Sequence, residues 1–253
     1  MCQSETGFLK FLCWLLPFLL PLGLSAITLA LGGVSLISIG RLLRKRGPFV
    51  DGLHSPDLAL EMIGRTGSIA PIVHAAGHMP LLRNIALDSG VFIPLYVTSF
   101  TIATVLLIGM PFACGPFAFQ PVAALALLLT LIGAVLDWSE NSYLAGALRL
   151  NAQGDAAAQA QCQNMLGQGR TRAVIKFIIL GGVAGLLAIH AWPTAATAGL
   201  PELARYVLGA AFGISALGMI ACPRSPRYLE PAVAIAGFGI ALLFTVHAWK
   251  ILP

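Results

Sequence analysis

Residues 119–148 read FQPVAALALLLTLIGAVLDWSENSYLAGAL, about thirty mostly apolar positions in a row. A helix rises ~1.5 Å per residue, so ~20 such residues cross the ~30 Å hydrocarbon layer of a bilayer. The run reads as a transmembrane helix, yet its far end carries what such a helix avoids, Asp137, Glu140 and Asn141 within five positions. At ~3.6 residues per turn Thr130, Gly133, Ala134, Asp137, Glu140, Asn141 and Leu144 share one broad face, while Leu136 and Trp138 point elsewhere. Small residues let helices approach and polar side chains hydrogen-bond across the contact, which puts this face inside a bundle.

The rest of the chain agrees with that class. Of 253 residues 58% are hydrophobic and only 10% charged, with mean hydropathy +0.87; a soluble domain carries about 25% charge. Six apolar runs are long enough to span: one within Phe11–Ile39, then Ile85–Pro111, Phe119–Leu148, Ala173–Trp192, Ala204–Cys222 and Ala232–Trp249. Pro17 and Pro21 kink or shorten the first, and its cleavage as a signal peptide would leave five. The expectation is a single all-α transmembrane bundle over 1–253, with one sizeable polar segment, 47–84, at the membrane surface. Within that segment Ser55-Pro56-Asp57 opens one short amphipathic helix, and Ile72–Met79, between Pro71 and Pro80, forms a second. Residues 151–169, rich in Ala, Gln and Gly, extend the third span or form a linker.

Lys and Arg set the orientation. With loops numbered alternately, twelve fall on one side and three (Lys10, Arg205 and Lys250) on the other. The richer side is expected to be cytoplasmic, with both termini outside and the bacterial inner membrane as the location. The net charge of +5 sits beside apolar spans with no interleaved aromatics, which argues against a nucleic-acid partner. Five cysteines without a C-x-x-C pair indicate neither a zinc site nor a disulfide framework. No nucleotide, haem-attachment or hydrolase signature occurs, so no cofactor is named.

Two constellations could carry chemistry. Asp137 and Glu140 can simply end their span, hydrogen-bonded or paired with Arg149 or Arg83. Alternatively, carboxylates three positions apart repel, so one keeps its proton, and the pair can bind a cation or carry protons. Asp88 opens the preceding span at the same level, with Tyr96 and Ser99 farther along, which makes Asp88, Tyr96, Asp137, Glu140 and Asn141 a candidate binding site for a small molecule or ion. His74 and His78, four apart in HAAGH, would share a helical face suited to a metal, completed by Asp88, Asp137 or Glu140. A matching His-Ala-Trp ends the fourth and sixth spans at His190 and His247, as an aromatic belt or a duplicated helix would.

Gly64 and Arg65, then Asp88, Pro94 and Tyr96, then Asp137, Glu140 and Asn141 resemble the pattern of a group of small bacterial polytopic membrane proteins with an Asp-x-x-Glu-Asn motif and no assigned function. The resemblance spans Gly64–Leu144, about a third of the chain, and implies that Asp88 and the Asp-x-x-Glu-Asn element belong together. The leading expectation is transport of a small molecule or ion, coupled to protons through Asp137 and Glu140. The alternatives are a non-catalytic assembly subunit and a membrane-embedded enzyme acting on a lipid.

Overall fold

The computed structural model describes residue 53 and residues 55–64, 67–109, 120–192 and 200–251. The expected first span, within Phe11–Ile39, lies outside the described residues. Among the described residues the fold is all-α without strands, and five helices are long and apolar enough to cross a membrane, so the chain is an integral membrane protein.

In chain order the helices are α1 (Pro56–Met62), α2 (Ala70–Ala76), α3 (His78–Leu87), α4 (Ile93–Leu107), α5 (Pro121–Asn151), α6 (Ala156–Ala191), α7 (Glu202–Ala221) and α8 (Leu229–Ile251). A π-helical turn, Asp88–Phe92, joins α3 to α4, so His78–Leu107 forms one spanning element. That turn has a local cause. Pro94 has no N–H to continue the ladder, and the Ile93 N–H instead reaches the carbonyl of Asp88, five residues back. The wider turn keeps the helix going and sets the direction of Asp88 and Ser89.

Several expected boundaries shift. The second span begins at His78, not Ile85, and ends at Leu107, before Gly109 at φ 122°. The fourth is much longer than Ala173–Trp192. After the Gly154 turn (φ 78°), the Asp155 side chain accepts from the Ala158 N–H at 2.7 Å and starts α6 at Ala156. Residues 151–169 are therefore mostly helix, and α5 and α6 form a hairpin of 31 and 36 residues. At 1.5 Å per residue these are ~46 and ~54 Å long, well beyond the ~30 Å hydrocarbon layer.

The single helix expected at Ile72–Met79 is two. Gly77 sits at φ 84°, a backbone state that costs a side chain energy, and separates α2 from α3. Pro80 then falls in the first turn of α3, where its missing N–H costs nothing. The short helix after Ser55 forms over Pro56–Met62, and the bundle covers one of its faces. Ala59, Leu60 and Met62 are buried, and α1 packs against α6. Ser55 caps no helix N–H with its hydroxyl; its backbone N–H donates to Glu230 at the start of α8, which pins α1 to the bundle.

Neighbours in sequence are neighbours in space, α4–α5–α6–α7–α8, and α8 returns to touch α4. Helix α6 also touches α1 and α4, besides its neighbours α5 and α7. The α5–α6 contact is close because Gly133 faces Leu180; a β-carbon there would lie 3.0 Å from Leu180 Cδ2.

Candidate functional site

The buried face of α5 forms as its helical phase demands. Thr130, Gly133, Ala134, Asp137, Glu140, Asn141 and Leu144 are all buried. Trp138 is exposed as a ring, but its Nε1–H crosses to α4's entry and donates to the Ser89 carbonyl at 2.9 Å. Asn141 Nδ2 donates to Asp88 Oδ2 at 2.7 Å and to Ser89 Oγ at 3.0 Å. Asp88 thus meets the Asp-x-x-Glu-Asn element through the amide of Asn141.

The partner of the two α5 acids is Lys176 on α6, not Arg149 or Arg83, both of which are exposed. Lys176 Nζ lies 2.8 Å from Asp137 Oδ1, 2.8 Å from Glu140 Oε2 and 3.1 Å from Glu61 Oε2 on α1. The Lys176 side chain is only 4% exposed, Asp137 5%, Glu140 0% and Glu61 14%. Three carboxylates therefore surround one ammonium in a dry setting. One positive charge cannot offset three negative ones, and the cluster carries a formal −2 unless it holds protons or a further cation. Glu140 is held by its ion pair with Lys176, and the Glu61 carboxyl lies beside it. For Glu61 the direction is explicit: burial, with Glu140 beside it, pushes its carboxyl well above the usual carboxylate range, against the pull of Lys176.

The depth of the cluster follows from helix arithmetic. Asp137 stands 16 residues from Pro121 and Lys176 stands 15 from Ala191, or ~24 and ~22 Å along their axes. In a ~30 Å hydrocarbon layer starting at that end, the cluster lies inside the opposite boundary by ~6–8 Å. That opposite end carries Arg149 and Arg170.

A cavity of about 260 Å³ opens beside the cluster between α4, α6 and α8. Glu61, Asp88, Asp137 and Lys176 border it at one end, while Phe92, Phe100, Phe177, Leu180 and Ile240 line its apolar walls. Tyr96 and Ser99 also face it, as their positions on the second span suggested. Ser99 returns its hydroxyl to the Leu95 carbonyl at 2.7 Å, whereas the Tyr96 hydroxyl, beside Asp137, lacks a hydrogen bond of ordinary geometry.

A second polar contact braces the hairpin on its outer side. Arg172 Nε donates to Ser139 Oγ at 2.8 Å, and its guanidinium stacks 4.1 Å above the Tyr143 ring. Nearly every polar side chain in the stretch 137–143 therefore has a cross-helix task.

The two histidines do not share the helical face expected of them. Gly77 breaks the helix between them, so His74 lies exposed on α2 and His78 lies on α3. The His78 Nε2–H donates to the Leu148 carbonyl at 2.7 Å, which fixes the ring against α5 and leaves Nδ1 as its acceptor nitrogen. Among the described residues no group of three or more His, Cys, Asp or Glu side chains is placed to hold a metal ion.

Sequence reasoning missed Lys176 and Glu61. Lys176 reads as one more basic flank, but its phase was legible. Ala173, Leu180, Val183, Ala184 and Leu187 share its face, and all are buried. A lone cation on the small, apolar face of a span belongs in a bundle and needs a counter-charge. Glu61 gave no comparable signal, because one acid in a seven-residue amphipathic helix reads as its wet side. Comparison with protein-family models, with curated proteins and with solved structures finds no match for this chain.

Proposed function

We propose that the protein is a proton-linked membrane transporter of a small molecule, in which Asp137 and Glu140 are the titrating pair and Lys176 is their internal counter-ion. One observation carries the reading: a buried Lys176 held by Asp137, Glu140 and Glu61 at the polar end of an otherwise apolar cavity. A purely structural bundle gains little from such an arrangement. Burying charges costs several kcal/mol per ion, and packed apolar residues of similar volume serve stability as well or better. Intramembrane ionisable groups are retained where charge has work to do. Among the described residues of the cluster the excess of carboxylates over cations supplies sites that gain and lose protons, and two of these acids, Glu61 and Asp137, border a cavity rather than a closed contact.

The test is proton flux in proteoliposomes loaded with a pH dye, driven by a pH step in the presence of small apolar-tailed solutes. Asp137→Asn and Glu140→Gln are each expected to abolish the coupled flux. Unchanged flux in both variants removes the titrating pair. The cross-helix bonds of Trp138, Ser139 and Asn141 favour a second reading, a polar seam within an assembly subunit. In that case the same substitutions lower stability, and the wild-type protein moves no protons.

A further inference from the structure

The cavity beside Lys176 has a chemistry that selects its ligand. Its volume, about 260 Å³, lies just under the range of small-molecule sites, roughly 300–1,000 Å³. Its walls are aromatic and aliphatic, from Phe92, Phe100, Phe177 and Ile240, which suits a short apolar tail. Its polar end is strongly asymmetric in charge. Among the described residues Glu61 from α1, Asp88 from the π-helical turn and Asp137 from α5 border it beside the ammonium of Lys176, with Glu140 of α5 buried behind that ammonium. The Cys222 thiol stands within electrostatic reach of Glu61 and Lys176, and Arg170 within reach of that thiol. Helix α8 contributes only apolar and backbone surface, through Val233, Ala234 and Ala236.

Lys176 cannot greet an anion. Three carboxylate oxygens already sit within 3.1 Å of its Nζ, and two of them, from Glu61 and Asp137, accept its hydrogen bonds. Asp88 and Asp137 border the cavity directly, and the Tyr96 ring beside them is 6% exposed, with a hydroxyl that lacks a hydrogen bond of ordinary geometry. An entering head group thus meets carboxylate oxygens, the Tyr96 phenol beside Asp137, and the rings of Phe92 and Tyr96, whose centroids lie 5.7 Å apart. Carboxylates and aromatic faces together favour a cation.

From this juxtaposition we propose that the cavity binds a small amphiphile with a protonated amine head, and that the ammonium takes the place of a proton on the Asp88–Asp137–Glu140–Glu61 carboxyls. The exchange balances without redox or covalent chemistry. One carboxyl O–H bond breaks, its proton leaves to water, and the ammonium pairs with the resulting carboxylate, so the charge of the site is unchanged. Proton and ligand then compete for one place. The inference rests on the proton-linked reading of the same cluster, but it is tested by binding, without any flux.

The experiment is calorimetric titration of the full chain in nanodiscs with octylammonium, octan-1-ol and octanoate, with empty nanodiscs subtracted. A pH indicator in weakly buffered solution counts protons in parallel. Octylammonium is expected to bind at least about tenfold more tightly than octan-1-ol, the effect of one charge-assisted contact. Octanoate is expected to bind no better than the alcohol, and close to one proton should be released per ammonium bound. Asp88→Asn and Tyr96→Phe should each lower the ammonium preference, with the alcohol affinity as an internal measure of an intact cavity. Equal affinity for octylammonium and octan-1-ol in the wild-type protein, or ammonium binding without proton release, overturns the assignment. If protons move in vesicles yet ammonium is not preferred, the ligand assignment fails alone. If ammonium is preferred and displaces a proton but no flux occurs, the transport reading fails alone.

Discussion

Replacing Lys176 by Met removes, among the described residues, the one cation paired with a cluster of three acids, while nearly conserving the length of the side chain. The three acids would then face one another in a site where Lys176 was 4% exposed and Glu140 0%. Breaking a buried ion pair by deleting one partner costs about 3–5 kcal/mol, because the remaining charge is left uncompensated. Here three contacts at 2.8, 2.8 and 3.1 Å are lost together, so the upper part of that range applies. For a chain of this size each kcal/mol shifts a melting midpoint by ~2–4 °C, which gives a fall on the order of 10 °C. The assay is the folded fraction recovered by size exclusion after heating in mild detergent at neutral pH. Neutralising the acids in the same background, with Glu61→Gln, Asp137→Asn and Glu140→Gln, should recover most of the loss, since the penalty lies in the unpaired charges. A Lys176→Met midpoint equal to the wild type, or no recovery in the combined variant, would refute the charge accounting.

Glu61 gives a signed pH effect. Its folded carboxyl titrates well above the usual range through burial beside Glu140, so the folded protein keeps a proton that the unfolded chain releases near pH ~4.3. Its contribution to stability is therefore full below that pH and declines as pH rises toward the raised value; melting midpoints of Glu61→Gln should depend less on pH across that window. Asn141→Ala removes the amide donated to Asp88 at 2.7 Å and to Ser89 at 3.0 Å, and a bond to a charged group is worth ~1.5–3 kcal/mol. The drop should be read by thermal melting, and an Asp88→Asn, Asn141→Ala double variant should lose less than the sum. Gly77→Ala forces a side chain into φ 84° between α2 and α3, at a cost of roughly 1–2 kcal/mol. Faster hydrogen exchange confined to α2 and the start of α3 would report it, and unchanged protection there would count against a strained corner.

Much of the architecture could be read from local chemistry. The bilayer demands ~20 apolar residues per crossing and every backbone group bonded within its own helix, so the spans after residue 84 show themselves as runs. The inward face of α5 follows from a fixed period, which is why Asp137, Glu140 and Asn141 were placed together before any contact was known. Glycine φ and side-chain capping are less visible from a run of letters: Gly77 split a helix that HAAGH suggested was whole, and Asp155 began α6 well before its apolar stretch.

What each charge pairs with is a different kind of property. Asp137 and Lys176 are 39 positions apart, and Glu61 and Lys176 are 115 apart. Neither separation carries a periodic signal. The meeting depends on α6 touching α1 as well as α5, on Gly133 letting it come close to α5, and on Ser55 pinning α1 to α8 so that Glu61 points inward. Apolar burial in a membrane is nearly indifferent to which apolar neighbour is chosen, so the amino-acid sequence by itself determined the spans and their inner faces. Charge is not indifferent: in a low dielectric each buried ion needs a specific partner within about 3 Å, and only the packing of whole helices decided that Lys176 would be that partner for Asp137, Glu140 and Glu61.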